Sequence, residues 1–307
     1  MAVLANPSLN VDRVLITPEC KRILRDMIRW RNGGDFLPTY DDDEAEGSDF
    51  VFHTGDEQRR AVILAGHTGI GKSAWLQYAL TERLLARQTT LLQGGQNWLY
   101  VFTRPGLHTP SAWSLVDSNE ELPSVPEFHK SCPHLVIQAA TPRAERVKWR
   151  HHLNAVQTLY FMKPMALPEP VAGRLLLRTV LPATHVETFF RKFGPSTRGA
   201  YAGQLAEWER RAEDAVHRLS YHGHDDALPE LLQQAQALDA ARVLFLIQPG
   251  VNRATWTASI ASPHIVDKMR RRCGVRWSEM AARFRDSRAA AALPRISALV
   301  QGPVVIA

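Results

Sequence analysis

Between residues 61 and 80 the chain reads AVILAGHTGIGKSAWLQYAL. Within it, Gly66-His67-Thr68-Gly69-Ile70-Gly71-Lys72-Ser73 meets every fixed position of the pattern GxxxxGK[ST]. These residue types at this spacing suit the holding of a polyphosphate. Glycines at 69 and 71 let successive backbone N–H groups converge on one point without side-chain collision, and a helix starting behind them aims about half a positive charge at the same point. Lys72 is then expected to reach the β- and γ-phosphates as a point charge, and the Ser73 hydroxyl to join the shell of a Mg²⁺ ion that keeps several waters. Gly66, Thr68, Gly69, Ile70, Gly71, Lys72, Ser73 and Ala74 make up the predicted nucleotide-contacting set. The competing reading is a plain glycine turn between a buried strand and a helix, with Lys72 in solvent.

Hydrolysis also needs a carboxylate beside the metal. Asp117, at the end of SAWSLVDSN, is the candidate, because an apolar strand would deliver it to the carboxyl edge of a sheet next to the loop. An Asx-turn opening a loop is the alternative for the same residue. Many nucleotide hydrolases of this kind place a glutamate directly after that aspartate to orient the attacking water. Here Ser118 and Asn119 follow, with Glu120 and Glu121 beyond them, which puts fast turnover in doubt. A third strand, LVIQAA, ends in Thr141 and leads to Arg143 and Arg146. Thr141 either senses a γ-phosphate or caps a helix begun by Pro142. Arg143 is the candidate to balance charge that develops on the transferred phosphoryl group, and Arg146 is read as solvated. No N-K-x-D guanine-reading motif occurs, which favours adenine and hence ATP.

The elements that must position these residues follow from the hydrophobic pattern. Short β-rich runs at 61–65, 89–93, 98–102, 112–117, 135–140 and 158–162 alternate with helical ones. That alternation predicts an α/β fold with a parallel sheet covered by helices on both faces. Upstream, Val14 to Ile16 reads as a short strand leading into an amphipathic helix with Thr17 as N-cap and Pro18 at its first position, ended by Gly33-Gly34. Residues 1–34 are thus an N-terminal strand and helix on the core. Residues 35–60, with the acidic run YDDDEAEGSD, form a linker, and 61–200 the nucleotide-binding core. Residues 201–307 make a mostly helical region with one late strand at 241–249 and a basic, divergent tail.

At 307 residues, 45% hydrophobic and 22% charged, the chain has enough apolar material for a sizeable core. A net charge of +6 permits attraction to polyphosphate or nucleic acid but carries little site information. Three cysteines without a CxxC pair suggest neither a disulfide framework nor a zinc site. No signal peptide or membrane span is recognised, so a soluble intracellular protein is expected. Three weaker patterns are set aside. Asp12 with Glu19-Cys20-Lys21 mimics a metal-nuclease motif, but a helix would send Glu19 and Lys21 to different faces. His222 with His224, and His151-His152, read as solvent-facing. The cluster Lys268, Arg270, Arg271, Arg272 and Arg276 beside Trp277 could contact nucleic acid, against the plainer reading of a solvated helix face.

The segments VLITPECKRILRDMI, GHTGIGKS, WSLVDSN, ATPRAERVKW, FMKPMALPE and FFRKFGPSTRGAY, in that order, resemble the P-loop NTPase module of Crinkler-type and retrotransposon-hot-spot-like proteins found in many fungi. The resemblance runs from about residue 12 to 265. It implies an additional-strand (ASCE, AAA-like) ATPase order, with ATP and Mg²⁺ held between Lys72, Ser73 and Asp117, and it nominates Arg198 in FGPSTR as a sensor arginine. It also implies an effector-like or mobile-element-associated setting. ATP hydrolysis driving a conformational switch is the leading expectation, and a nucleotide-binding module with little hydrolysis is the alternative. Besides nucleotide, the partner classes left open are another protein, a second copy of the chain, and nucleic acid at the basic segment.

Overall fold

A computed structural model describes residues 13–36, 58–103, 112–131, 135–141, 149, 155–221, 241–250, 252–274 and 277. The acidic run at 40–49, Asp12, Arg143, Arg146, both histidine pairs, Arg276 and the tail beyond 277 lie outside the described residues. The chain falls into two compact units. The first takes residues up to Gly66, then Gly71–Met162 and Val251–Ala254. The second takes His67–Ile70, Lys163–Gly250 and residues from Thr255 onward.

The first unit is mixed α/β. Its six strands are β1 (Arg60–Ala65), β2 (Thr90–Gly95), β3 (Trp98–Phe102), β4 (Trp113–Asp117), β5 (Leu135–Ala139) and β6 (Val156–Phe161). They lie in the order β3-β2-β4-β5-β1-β6. Five are parallel; β3 runs antiparallel to β2. The departure from an all-parallel sheet has a local cause. Only Gln96 and Asn97 separate β2 from β3, and a two-residue connection permits a hairpin but no crossover. Every residue of β1 and β5 is buried, as expected of central parallel strands covered on both faces.

Two 14-residue helices belong to this unit, α1 (Pro18–Arg31) and α2 (Lys72–Leu85). On α1, Ile23, Leu24 and Met27 recur at helical spacing and are fully buried; on α2 the same holds for Trp75, Leu76, Ala79 and Leu80. The Trp75 indole donates to Cys20 O at 3.0 Å, tying the two together. Near the end of α2, buried Arg83 donates to Thr90 Oγ1 and Thr89 O, each at 2.9 Å, and lies 4.4 Å from the Trp113 ring centre. Burial, with Arg31 adding repulsion, pulls its pKa down to about 9. A short helix, α3 (Glu127–Ser131), follows β4.

The expected strand at Val14 to Ile16 is not formed. Those residues make no ladder, and Val14 and Ile16 remain exposed. Thr17 does cap the helix, its Oγ1 accepting from Cys20 N at 3.3 Å. Glu19 takes both arms of the buried Arg253 guanidinium at 2.9 and 3.0 Å, while Asp12, the other part of the nuclease-like pattern, lies outside the described residues.

The second unit is mainly helical: α4 (Pro168–Gly173), α5 (Ala183–Phe193), α6 (Thr197–Tyr201), α7 (Leu205–Tyr221), α8 (Ala241–Leu244) and α9 (Pro263–Cys273). Val186, Phe189 and Phe193 form the buried stripe of α5, and both phenylalanine rings pack on Trp208 of α7 with centroids 5.0 and 6.0 Å apart. The late strand differs from expectation. Residues 241–244 are helical, β7 begins at Phe245 and ends at Pro249, and it pairs antiparallel with β8 (Trp256–Ile260). A strand needs a partner for its backbone groups, and β8 carries a weak sequence signal because its threonine and serine alternate with only two buried residues, Trp256 and Ala258.

Candidate functional site

β1 ends at Ala65, and the loop that leaves it turns three times through left-handed backbone: φ is 144° at Gly66, 79° at Gly69 and 105° at Gly71. Side chains rarely tolerate such values. Gly71 is also the N-cap of α2. No side chain caps that helix and no acidic residue sits in its first turn. Its leading N–H groups therefore lack the side-chain acceptor that α1 obtains from Thr17, and they carry the positive end of a long helix.

Lys72 is buried, and its Nζ donates to Gly66 O at 3.0 Å, so the cation folds over its own loop. Ser73 Oγ donates to Asp117 Oδ1 at 2.9 Å, joining residues 44 apart in sequence. Strand register explains how Asp117 arrives there. Leu64 of β1 faces Ala139 of β5, and Ala139 faces Asp117 of β4, so three neighbouring strands end at one level. Thr141 follows two residues after Ala139, and Ala140 N donates to Leu64 O at 3.0 Å, which keeps Thr141 at the same carboxyl edge. Ala74 is half-buried in the first turn of α2.

Two residues beyond Asp117 the chain makes an Asx-turn. Asn119 makes the turn: its Oδ1 accepts from Glu121 N and Leu122 N, both at 2.9 Å, while its Nδ2 donates to Gly94 O at 2.7 Å. Ser118 is buried and faces inward. Its Oγ accepts from Gln138 Nε2 at 2.6 Å, and Gln138 Oε1 accepts from the Trp149 indole at 2.6 Å. Glu120 and Glu121 are exposed beyond that turn.

Within the second unit, Arg198 N donates to Gly69 O at 3.1 Å. A Cβ on Gly69 would stand 2.6 Å from Ser196 Oγ and 3.0 Å from Arg198 Cβ, so glycine is required there by contact as well as by φ. Ser196 caps α6. Arg198 thus supports the loop through its backbone, while its side chain is exposed. Thr68 is half-buried and Ile70 fully buried.

Two buried polar networks are not legible in the sequence. One is Ser118-Gln138-Trp149. The other places His129 of α3 between Ser114 Oγ, on its Nδ1, and Gln93 Oε1, 2.5 Å from its Nε2. Burial pushes the His129 pKa down to about 4, so the ring is neutral at physiological pH. The available signal was polar residues inside otherwise apolar strands, Gln93, Ser114 and Gln138. Of the basic cluster, Lys268 lies 2.6 Å from Glu209 and 2.9 Å from Glu213, so its charge is already matched. Partial burial raises Glu209, but hydrogen bonds from Lys268 and His264 outweigh it and hold the carboxyl at about 2. Among the described residues, no group of three or more His, Cys, Asp or Glu could hold a metal, and no helix is long and apolar enough to cross a membrane.

A scan against known protein families finds no match, and a search of curated proteins finds none. Among solved structures, the chain is similar to one titled Thermotoga maritima RuvB T158V, with 13% identity and a TM-score of 0.34. The likeness covers 66% of this chain, which spans 63% of the length of that one.

Proposed function

We propose that this protein is a P-loop NTPase that binds ATP with Mg²⁺ and couples hydrolysis to a conformational switch. The observation that carries the reading is the pairing of Ser73 Oγ with Asp117 Oδ1 at the mouth of a glycine loop whose helix has no side-chain cap. A hydroxyl and a carboxylate in contact form an oxygen donor set that suits Mg²⁺, and the left-handed glycines leave backbone amides free of side-chain bulk, as a phosphate cradle requires. The residues therefore fit the cofactors. Lys72 would hold the β- and γ-phosphates, amides from Gly69 to Ala74 would line them, and Ser73 with Asp117 would hold the metal, the latter through water. When bound, Mg²⁺ neutralises charge on the phosphate oxygens. Thr141 is assigned to sensing the γ-phosphate, and Arg143 and Arg198 to balancing charge on it. Strand β5, lying between β1 and β4, supports the additional-strand, AAA-like order. The likeness of the quoted motifs to Crinkler-type and retrotransposon-hot-spot-like modules supports an effector-like or mobile-element-associated role.

A second reading rests on Ser118. Its hydroxyl is engaged by Gln138 inside the unit, so the position after Asp117 offers no base to orient water. That favours a module that binds ATP and turns it over slowly. ATP affinity measured with Mg²⁺ and with chelator, in wild type and Lys72→Ala, tests nucleotide binding. Equal affinity in the two proteins would refute it. Phosphate release followed over hours, with Asp117→Ala as reference, separates the readings: release above that reference supports hydrolysis, and release at its level supports the binding module with little turnover.

A further inference from the structure

The sheet of the first unit ends on one side in β3, which concentrates exposed apolar side chains as no other described segment does. Trp98 is 67% exposed, Leu99 39%, Tyr100 53% and Val101 54%. β2 pairs with its inner edge, and among the described residues no strand pairs with the outer one. Edge strands are normally protected by lysine, proline or a bulge. Trp98–Phe102 reads WLYVF and carries none of these; the one irregularity in the hairpin falls on β2, between Gln93 and Gly95. At the other end of the sheet, β6 is half-buried or buried throughout.

We infer that β3 is a self-association edge, on which a second copy of this chain pairs antiparallel about a two-fold axis through Tyr100. The occupant follows from the order of side chains. Aromatic and aliphatic residues alternate, so the strand has the same character read in either direction. A two-fold axis at Tyr100 sets Trp98 against Phe102 of the partner, Leu99 against Val101 of the partner, and Tyr100 against itself. Because side chains alternate between faces, the three aromatics share one face and the two aliphatics the other, and each stripe continues across the seam. Tyr100 and Phe102 already stack, with ring centroids 6.4 Å apart. Two chains of net charge +6 repel, and an uncharged strand is where that repulsion opposes contact least.

A single-stranded nucleic acid stacking on the aromatics fits less well. It would leave the apolar side chains of the opposite face in water, and no lysine or arginine occurs from Gln96 to Thr103 to meet phosphates. The available area sets the strength. A whole aromatic side chain offers ~150–250 Å². At the exposures seen, the strand supplies on the order of 400 Å² per copy, below the roughly 800 Å² of a standard interface. The dimer is accordingly weak and reversible.

Sedimentation velocity on the full chain, carried up to the highest soluble concentration, tests this. Wild type is expected to pass from monomer to dimer. Tyr100→Lys and Tyr100→Glu each oppose like charges on the axis and should weaken dimerisation by more than about tenfold, while an equimolar mixture of the two restores it as a heterodimer. Val101→Lys, off the axis, should weaken it as well. All sit at exposed positions, and unchanged thermal unfolding confirms their folding. Wild type that stays monomeric throughout, single variants that dimerise like wild type, or a mixture that fails to associate would each overturn the inference. So would a monomeric wild type that binds oligothymidylate through Tyr100, which would assign the strand to nucleic acid.

Discussion

α1 and α2 are equally long and belong to the same unit, yet their N-termini are built to opposite ends. At α1, Thr17 caps the first turn, Pro18 removes one N–H donor, and Glu19 adds an acidic side chain. At α2, a left-handed Gly71 supplies no side chain, no acid follows, and Lys72 and Ser73 come next. The first terminus takes a side-chain cap and the second takes none, so under the proposed function a ligand would stand where the cap is missing. Sealed polar groups should therefore report on stability alone, whereas open ones should report on nucleotide.

The sharpest break of that contrast is Lys72→Ala. Loss of a charge-assisted contact to phosphate should weaken ATP by ~100-fold, about 3 kcal/mol, with little change in unfolding temperature. His129 tests the sealed class by pH. The unfolded chain takes up the imidazole proton near pH 6.5 and the folded one only near 4, so the unfolded state binds more protons between them. Stability present above pH 6.5 should fall by about 2–3 kcal/mol as pH drops to 4. Denaturant titrations of His129→Gln should show a flatter profile across that window.

Gly71→Ser offers the open terminus a cap like that of α1. Strain at φ 105° and a hydroxyl competing for the amides should cost ATP affinity about tenfold, measured by calorimetric titration. The smallest effect is expected at Thr17→Ala, which removes the cap of the sealed helix. It should lower stability by about 1 kcal/mol and leave ATP affinity unchanged.

The parts legible in the sequence were those fixed by local chemistry. Glycines in a phosphate-loop pattern, Thr17 before Pro18, and an apolar run ending in Asp117 each depend on a few adjacent residues. The six strands of the sheet were readable for the same reason. What escaped depends on distant partners. Direction in β3 turns on a two-residue connection, and β7 exists because β8 lies beside it. Ser118 reads as a missing glutamate in sequence, but only the fold shows Gln138 and Trp149 holding it inward. The resemblance nominates the Arg198 side chain, whose role depends on a bound nucleotide, while its backbone amide donates to Gly69 O.

The most direct measurement is amide hydrogen exchange across both helix starts, with and without ATP and Mg²⁺. Exchange at residues 69–74 should slow at least about tenfold on binding, while the first turn of α1 stays as it was. Unchanged exchange at 69–74 in protein saturated with nucleotide would contradict the account.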